Sequence, residues 1–235
     1  YRMATGKKLD ISNVKTFNEK IQWMKLFDRN PIYPTVVDKY RVREYVKNAI
    51  GEQYLIPLLG KWDSINDVNI KNLPNQFVIK CNHDSGGISI CRNKDEYDWK
   101  SEKKNIDRHM KQNHYFLSRE WAYKNVKPCI IAEKYMIDEK TDDLRDYKFF
   151  CFDGKPKYIQ VDFNRFVDHK RNIYDLNWNL VDLTIKCDND PSAVIERPDN
   201  FEEMKVLAKK LSSGFPQVRV DLYSVNGKTY FGELT

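Results

Sequence analysis

The chain has 235 residues, a hydrophobic content of 41% and a net charge of +6. Its aromatic content of 13%, with 14 Tyr and 12 Phe, excludes an intrinsically disordered chain and predicts one or two folding units, or an intimate set of lobes. The longest apolar run, Cys129-Ile130-Ile131-Ala132, is far too short to span a bilayer, and the modest basic excess suits an anionic ligand without naming one.

Thr16-Phe17-Asn18-Glu19 reads as a capping box, in which Thr16 accepts from the amide three residues on and Glu19 reaches back. Phe17, Ile21, Met24 and Phe27 then follow at near-helical spacing. A second helix is expected from about Val37 to Ile50, stopped by Gly51, and a strand over Tyr54–Leu59. Gln76–Asn82 reads as a strand that enters a glycine-bearing loop, His83–Gly87, with Ile88–Cys91 returning. Helices are expected over Ser101–Asn113 and around Ser118–Lys124, and a buried strand over Cys129–Met136. Leu144–Phe152 and Lys155–Phe163 flank Asp153-Gly154, a hairpin signal. Asn200–Ser213 reads as a helix with a second capping box, Asn200 with Glu203. Gln217–Val225 and Thr229–Leu234 flank Asn226-Gly227, another hairpin signal. The fold class is α+β, with antiparallel sheets and helices packed on them.

Cys81, Cys91, Cys129, Cys151 and Cys187 form an odd set without CxxC spacing and read as reduced residues of a cytoplasmic protein. His83, His109, His114 and His169 have no zinc-ligand spacing. No secretory leader opens the chain, and Tyr1 is not an initiator, so residues upstream of it are expected.

Four segments carry candidate chemistry. Asp221 and Glu233 lie on the two arms of the last hairpin, and paired carboxylates suit a hard cation such as magnesium. Exposed strand acids are the plain alternative. Register decides between them: a strict two-residue loop at Asn226-Gly227 sets Asp221 opposite Gly232 and turns Glu233 to the other face. A metal pair therefore requires an odd loop or a bulge. In the second segment, Lys80 ends a strand before Ser85-Gly86-Gly87, which suits phosphate, although an ordinary turn explains the glycines as well. The third is Glu133 in Ala132–Met136, where a strand edge could read adenine or could be plain core. The fourth is Arg145-Asp146-Tyr147-Lys148, with Arg165 beyond the hairpin, where cationic heads could clamp phosphates or sit exposed at a strand edge.

Taken in order, these segments resemble ATP-grasp enzymes such as D-alanine–D-alanine ligase. Lys15–Trp23, Asp38-Lys39-Tyr40, Asp146–Phe149 and Phe231–Thr235 look closer still to the TupA-like branch, named for a teichuronopeptide biosynthesis protein. The resemblance runs from near residue 7 to the C-terminus. It implies an ATP-grasp fold of three lobes, 1–75, 76–135 and 136–235, the middle one a lid and the last the larger metal-bearing grip. It implies ATP and Mg2+ as cofactors. By this resemblance Lys39 and Lys80 hold the α- and β-phosphates under a loop of Ser85, Gly86 and Gly87. Glu133 and the Met136 backbone meet adenine, and Asp138 or Glu139 meets the ribose. Lys148 approaches the γ-phosphate, with Arg219 and Arg165 as further catalytic cations. Asp221 and Glu233 bind magnesium, with Thr235 as a third ligand where the ligases usually have Asn. The family normally continues beyond the position of Thr235.

The implied activity is amide formation through an acyl phosphate, in cell-surface or capsular polysaccharide biosynthesis. The expected partners are ATP, a small-molecule or glycan carboxylate and an amine, with no nucleic acid, no transmembrane segment and peripheral membrane association left open. Two other readings stand beside it. One is a glycosyltransferase using a nucleotide sugar, for which Asp188-Asn189-Asp190 is a DxD string that also reads as a polar loop before Pro191. The other is a non-catalytic nucleotide- or glycan-binding protein.

Overall fold

Alternation along Gln217–Val225 sorts the protein into a core and a cleft. Val218, Val220 and Leu222 are buried against apolar neighbours, whereas Arg219, Asp221 and Tyr223 share the opposite face. The same division runs through the neighbouring strands: Tyr147, Phe149 and Cys151 face the core and Asp146 and Lys148 do not, and Ile159 and Val161 are set against Gln160 and Asp162. One face of a large sheet is thus apolar and the other is charged.

The computed structural model describes residues 1–140, 144–163 and 170–235. Its helices are α1 (Arg2–Thr5), α2 (Phe17–Phe27), α3 (Tyr33–Val36), α4 (Val42–Ala49), α5 (Trp99–Met110), α6 (His114–Ser118) and α7 (Phe201–Leu211). Its strands are β1 (Leu58–Trp62), β2 (Phe77–Cys81), β3 (Ile88–Cys91), β4 (Ile130–Lys134), β5 (Asp146–Phe152), β6 (Lys155–Phe163), β7 (Lys170–Asp175), β8 (Gln217–Val225) and β9 (Lys228–Leu234). They form a four-stranded sheet in the order β1-β4-β2-β3 and a five-stranded sheet in the order β7-β6-β5-β8-β9, every pairing antiparallel. The α+β class and the separate small sheet agree with the sequence reading. That small sheet takes in Leu58–Trp62 as well as strands from 76–135.

Each sheet has its own core. Phe77, Ile79 and Cys81 of β2 pack with Ile130 and Ala132 of β4 against Ile106 of α5. Phe201, Met204, Leu207, Ala208 and Leu211 of α7 cover the apolar face of the large sheet, joined by Val42 and Val46 of α4. These five α7 residues are buried, as their spacing predicts.

Several expectations are corrected. The helix expected from Val37 starts at Val42, because the Asp38 carboxylate accepts from the amides of Tyr40 and Arg41 and holds the chain in a turn. The strand expected over Tyr54–Leu59 begins only at Leu58, after a 3-10 turn over Glu52–Tyr54. The helix expected around Ser118–Lys124 is interrupted at Arg119, whose φ of 58° ends α6, and a 3-10 turn follows at Trp121–Tyr123. Asn200 makes no cap. Its side chain instead accepts from the Ser224 hydroxyl and donates to Thr229, tying α7 to the last hairpin. The Thr16–Glu19 capping box is present in full.

Candidate active site

The cleft is built where the polar faces of the two sheets meet. From the small sheet come Lys80 and Glu133, which lie on the face opposite Phe77, Ile79, Ile130 and Ala132. From the large sheet come Asp146, Lys148, Asp221 and Glu233. Adjacent strands set Lys148 opposite Asp221 and Asp221 opposite Glu233. A cavity of about 270 Å³ lies between, lined also by Lys39, Arg43, Asp84, Ser85, Gly87 and Tyr223.

The register question is settled by a bulge. Val225 pairs with Lys228 around a two-residue loop, and Asn226 and Gly227 both adopt positive φ, as a tight hairpin of this type requires. Leu222 pairs with Phe231, yet Asp221 pairs with Glu233. Gly232 is the additional residue. A Cβ there would stand 3.0 Å from the Asp221 carbonyl oxygen and 3.1 Å from the Tyr223 ring. The bulge returns Glu233 to the face that carries Asp221.

Arg219 shows where the two acids converge. Its Nε donates to Asp221 Oδ1 at 2.6 Å, and its Nη2 donates to Asp221 Oδ2 at 2.8 Å and to Glu233 Oε1 at 3.0 Å. Lys148 Nζ donates to Asp221 Oδ2 at 2.7 Å and to Asp146 Oδ2 at 3.0 Å. Asp221 is only 1% exposed. Burial pushes its carboxyl up, while Arg219 and Lys148 pull it back. Burial pulls the Lys148 ammonium down, but Asp221 and Asp146 outweigh it and hold it above the usual lysine value. Arg219 is held above its usual value in the same way, burial opposing and Asp221 and Glu233 prevailing. Burial, reinforced by Asp146 and Glu233, raises the Tyr223 phenol.

On the opposite wall, Glu133 gathers two cations: Lys80 Nζ donates to Oε2 at 2.7 Å and Arg43 Nη1 to Oε1 at 3.0 Å. Lys39 belongs to neither sheet. Its amide donates to the Asn82 carbonyl at the end of β2, and its ammonium donates to the Asp84 carbonyl. Burial pushes this ammonium below the usual lysine value, against the pull of Glu233 and Asp84. The loop after β2 is folded on Asp84, whose carboxylate accepts from the Gly87 amide and contacts His109 Nδ1 at 2.5 Å. A Cβ at Gly87 would approach Cys81 Sγ to 2.6 Å, so this close turn excludes a side chain.

Of the residues singled out in the sequence, Lys39, Lys80, Ser85, Gly87, Glu133, Lys148, Asp221 and Glu233 line this one cavity. Arg219 reaches it through Asp221 and Glu233. The Thr235 hydroxyl accepts from Arg219 Nη2 at 3.2 Å. Gly86 lies behind the loop, against His109. Met136 follows β4 and does not line the cavity, nor do Asp138 and Glu139. Asp138 Oδ2 accepts from the Asn226 amide at 2.7 Å, and the Glu139 amide donates to Asn226 Oδ1 at 3.0 Å, which pins this segment to the last hairpin. Arg165 lies outside the described residues. Asp190 of the DxD string accepts from the amide and hydroxyl of Ser192, so it closes a local turn away from the cleft.

Arg43, Asp84, Asp146 and Tyr223 were not singled out. Asp146 and Tyr223 were legible, since each lies two residues along a strand from a candidate, Lys148 and Asp221. Arg43 carried no such signal.

The sequence model of the family described as TupA-like ATPgrasp matches residues 19–235. No curated protein sequence matches the chain. Among solved structures, the chain is similar to D-alanine–D-alanine ligase from Bacillus anthracis, at 21% identity and a TM-score of 0.48, over 86% of this chain and 57% of that one. It is similar also to the biotin carboxylase domain of 2-oxoglutarate carboxylase from Hydrogenobacter thermophilus, at 16% identity and a TM-score of 0.43, over 86% and 40%. A third is the ATP-grasp ligase PsnB complexed with a minimal precursor, at 9% identity and a TM-score of 0.48, over 87% and 54%. The chain spans about half the length of these proteins. With its family model matched across nearly the whole sequence and its two antiparallel sheets facing one cleft, the chain belongs to the TupA-like ATP-grasp family.

Proposed function

We propose that the chain carries the catalytic core of a Mg-ATP-dependent carboxylate–amine ligase that works through an acyl phosphate. The observation that carries this reading is the convergence of Asp221 and Glu233 on one cationic nitrogen of Arg219, across the cleft from Lys39 and Lys80.

A divalent cation fits this donor set. Both donors are carboxylate oxygens, as magnesium prefers, and they already share one positive group. No cluster of three or more His, Cys, Asp or Glu that could hold a metal occurs among the described residues. Asp221 and Glu233 would hold magnesium, with Thr235 as a further oxygen donor from the protein. When bound, it screens the repulsion between the nucleotide and the incoming carboxylate.

The protein's own part is positioning and charge. Lys39 and Lys80 hold the α- and β-phosphates, with Ser85, Gly86 and Gly87 closing above them. Lys148 meets the γ-phosphate, and Arg219 stabilises the phosphoryl group in transfer. Adenine lies against Glu133, the residue of the expected adenine and ribose set that lines the cavity. The cations are held on acids beforehand: Lys80 on Glu133, Lys148 on Asp146 and Asp221. Nucleotide binding exchanges carboxylate partners for phosphate, so the charges are oriented before the ligand arrives.

Cell-surface polysaccharide biosynthesis is the setting that the family name supports. Two measurements test the reading. Mg-ATP should raise the melting temperature where UDP-sugars do not, since a specific ligand stabilises by mass action. Magnesium-dependent ADP release should appear with one acid among a panel of carboxylates. Stabilisation by UDP-sugars in place of Mg-ATP would sink the proposal in favour of a glycosyltransferase.

A further inference from the structure

A second cavity, of about 400 Å³, opens on the far side of Arg219. Met24 of α2, Trp121, Phe150 of β5 and Phe215 give it apolar walls, and Arg219 and Thr235 form its boundary with the cleft. Phe150 lies two residues along β5 from Lys148, and its strand partner is Arg219. One sheet face therefore runs from the carboxylate pair through Arg219 into this cavity.

The guanidinium of Arg219 is only partly used. Nε and Nη2 hold Asp221, Glu233 and Thr235, and Nη1 makes no hydrogen bond among the described residues. Of the other charges at the cavity, Glu120 is loosely paired with Lys25 Nζ at 3.9 Å, and the rest are committed elsewhere. Arg29 donates to the carbonyls of Lys25, Leu26 and Asp28, and its guanidinium lies 5.3 Å from the centre of the Trp121 ring. Lys25 donates to the Ser118 carbonyl, and Asp28 accepts from the Tyr33 hydroxyl. Gln217 has a side chain with no hydrogen bond among the described residues.

We infer that this cavity receives the acid substrate, and that the acid has an apolar body. The inference rests on the ligase reading and names its substrate class. The carboxylate meets the spare donor of Arg219, beside the phosphoryl group held from the other side. The body packs against Met24, Trp121, Phe150 and Phe215, and Gln217 serves one amide or other polar group upon it. A uronic acid fits poorly: its ring of hydroxyls would meet walls made mostly of apolar side chains, with Gln217 and Glu120 able to serve few of them, and unpaired polar groups are costly to bury. A glycan in this arrangement supplies the amine and not the activated acid. In the first step a carboxylate oxygen attacks the γ-phosphorus of ATP, and an O–P bond forms as the bond to the bridging oxygen breaks. ADP leaves with that electron pair. The amine nitrogen then attacks the acyl carbon, phosphate departs with the C–O electrons, and the amine proton passes to solvent.

The test is binding to the 235-residue chain, by ligand-observed NMR with 3-phenylpropionate, N-acetyl-leucine and glucuronate, each with and without Mg-ADP. The two apolar acids should bind, glucuronate should not, and 3-phenylpropionamide should bind about tenfold more weakly than its acid, as loss of a charge-assisted hydrogen bond predicts. Ala122→Phe, at a residue on the cavity wall, should abolish acid binding while stabilisation by Mg-ATP persists; that persistence also shows that the variant folds. Glucuronate binding as tightly as the apolar acids, or acid binding untouched by Ala122→Phe, overturns the inference. Stabilisation by Mg-ATP without acid binding overturns it while leaving the ligase reading intact. Acid binding without any response to Mg-ATP overturns the ligase reading, and with it the acid's role as substrate, and leaves an acid-binding cavity only.

Discussion

Asp221 and Glu233 stand opposite one another on β8 and β9 because one extra residue, Gly232, is accommodated between them and a tight two-residue turn. The bulge converts a hairpin that would separate the acids into one that pairs them. Gly232→Ala should lower stability by about 1 kcal/mol, because the new methyl meets the Asp221 carbonyl and the Tyr223 ring and only the ring can yield. Any backbone shift moves the acid pair, so affinity for Mg-ATP should fall while affinity for magnesium-free ATP changes little. Equal affinities for the two nucleotide forms in wild type and variant would detach the bulge from metal binding.

Asp221→Asn tests the pair directly. The swap is nearly isosteric, so the fold should persist. The cost should be about 1–3 kcal/mol, since Arg219 retains Glu233 and Lys148 retains Asp146 when the shared carboxylate loses its charge. Chemical denaturation measures this, and titration with ATP at limiting magnesium measures the functional loss. A variant that binds Mg-ATP like wild type would remove Asp221 from the metal site.

Lys80→Ala should weaken ATP binding by about 1.5–3 kcal/mol, the range for hydrogen bonds to charged groups. Its effect on stability should be small, because Glu133 keeps Arg43 as a partner. The double variant Lys80→Ala/Arg43→Ala should lose more stability than the sum of the single changes, because it leaves Glu133, only 7% exposed, without either cation. Additive losses in urea denaturation would mean that Glu133 does not depend on this pair.

Much of this site was legible before the structure, and the reason differs from residue to residue. Strand alternation alone puts Asp146 with Lys148 and Tyr223 with Asp221. The carboxylate pair was visible as two acids on one hairpin, but whether they meet depends on a bulge, and two-residue turn chemistry argued against it. The position of Lys39 was hidden by a helical pattern beginning at Val37, which loses to the side chain of Asp38 and to a long-range bond from the Lys39 amide to Asn82. Asn200 and Glu203 have capping-box spacing, yet tertiary bonds to Ser224 and Thr229 claim both side chains. Strand β7 had no turn signal to announce it. Local patterns revealed which residues were available, whereas contacts between distant segments fixed which of them met.

Lys39 supplies the last prediction, a proton count. Burial holds its ammonium below the usual lysine value in the ligand-free protein. A phosphate beside it favours the charged form and raises the value again. In the window between the depressed value and the ordinary lysine value of about 10.4, ATP binding must therefore take up protons. The sign is fixed: affinity should fall as pH rises through that window, because the free protein has already lost the proton that the complex requires. Calorimetric titrations just below the ordinary lysine value, in two buffers of different ionisation enthalpy, measure the uptake. Lys39→Met should abolish this component, weaken ATP and leave the free protein as stable or more so, since it removes a charge whose burial is unfavourable. Proton release, or an uptake identical in Lys39→Met, would show that Lys39 does not meet the nucleotide.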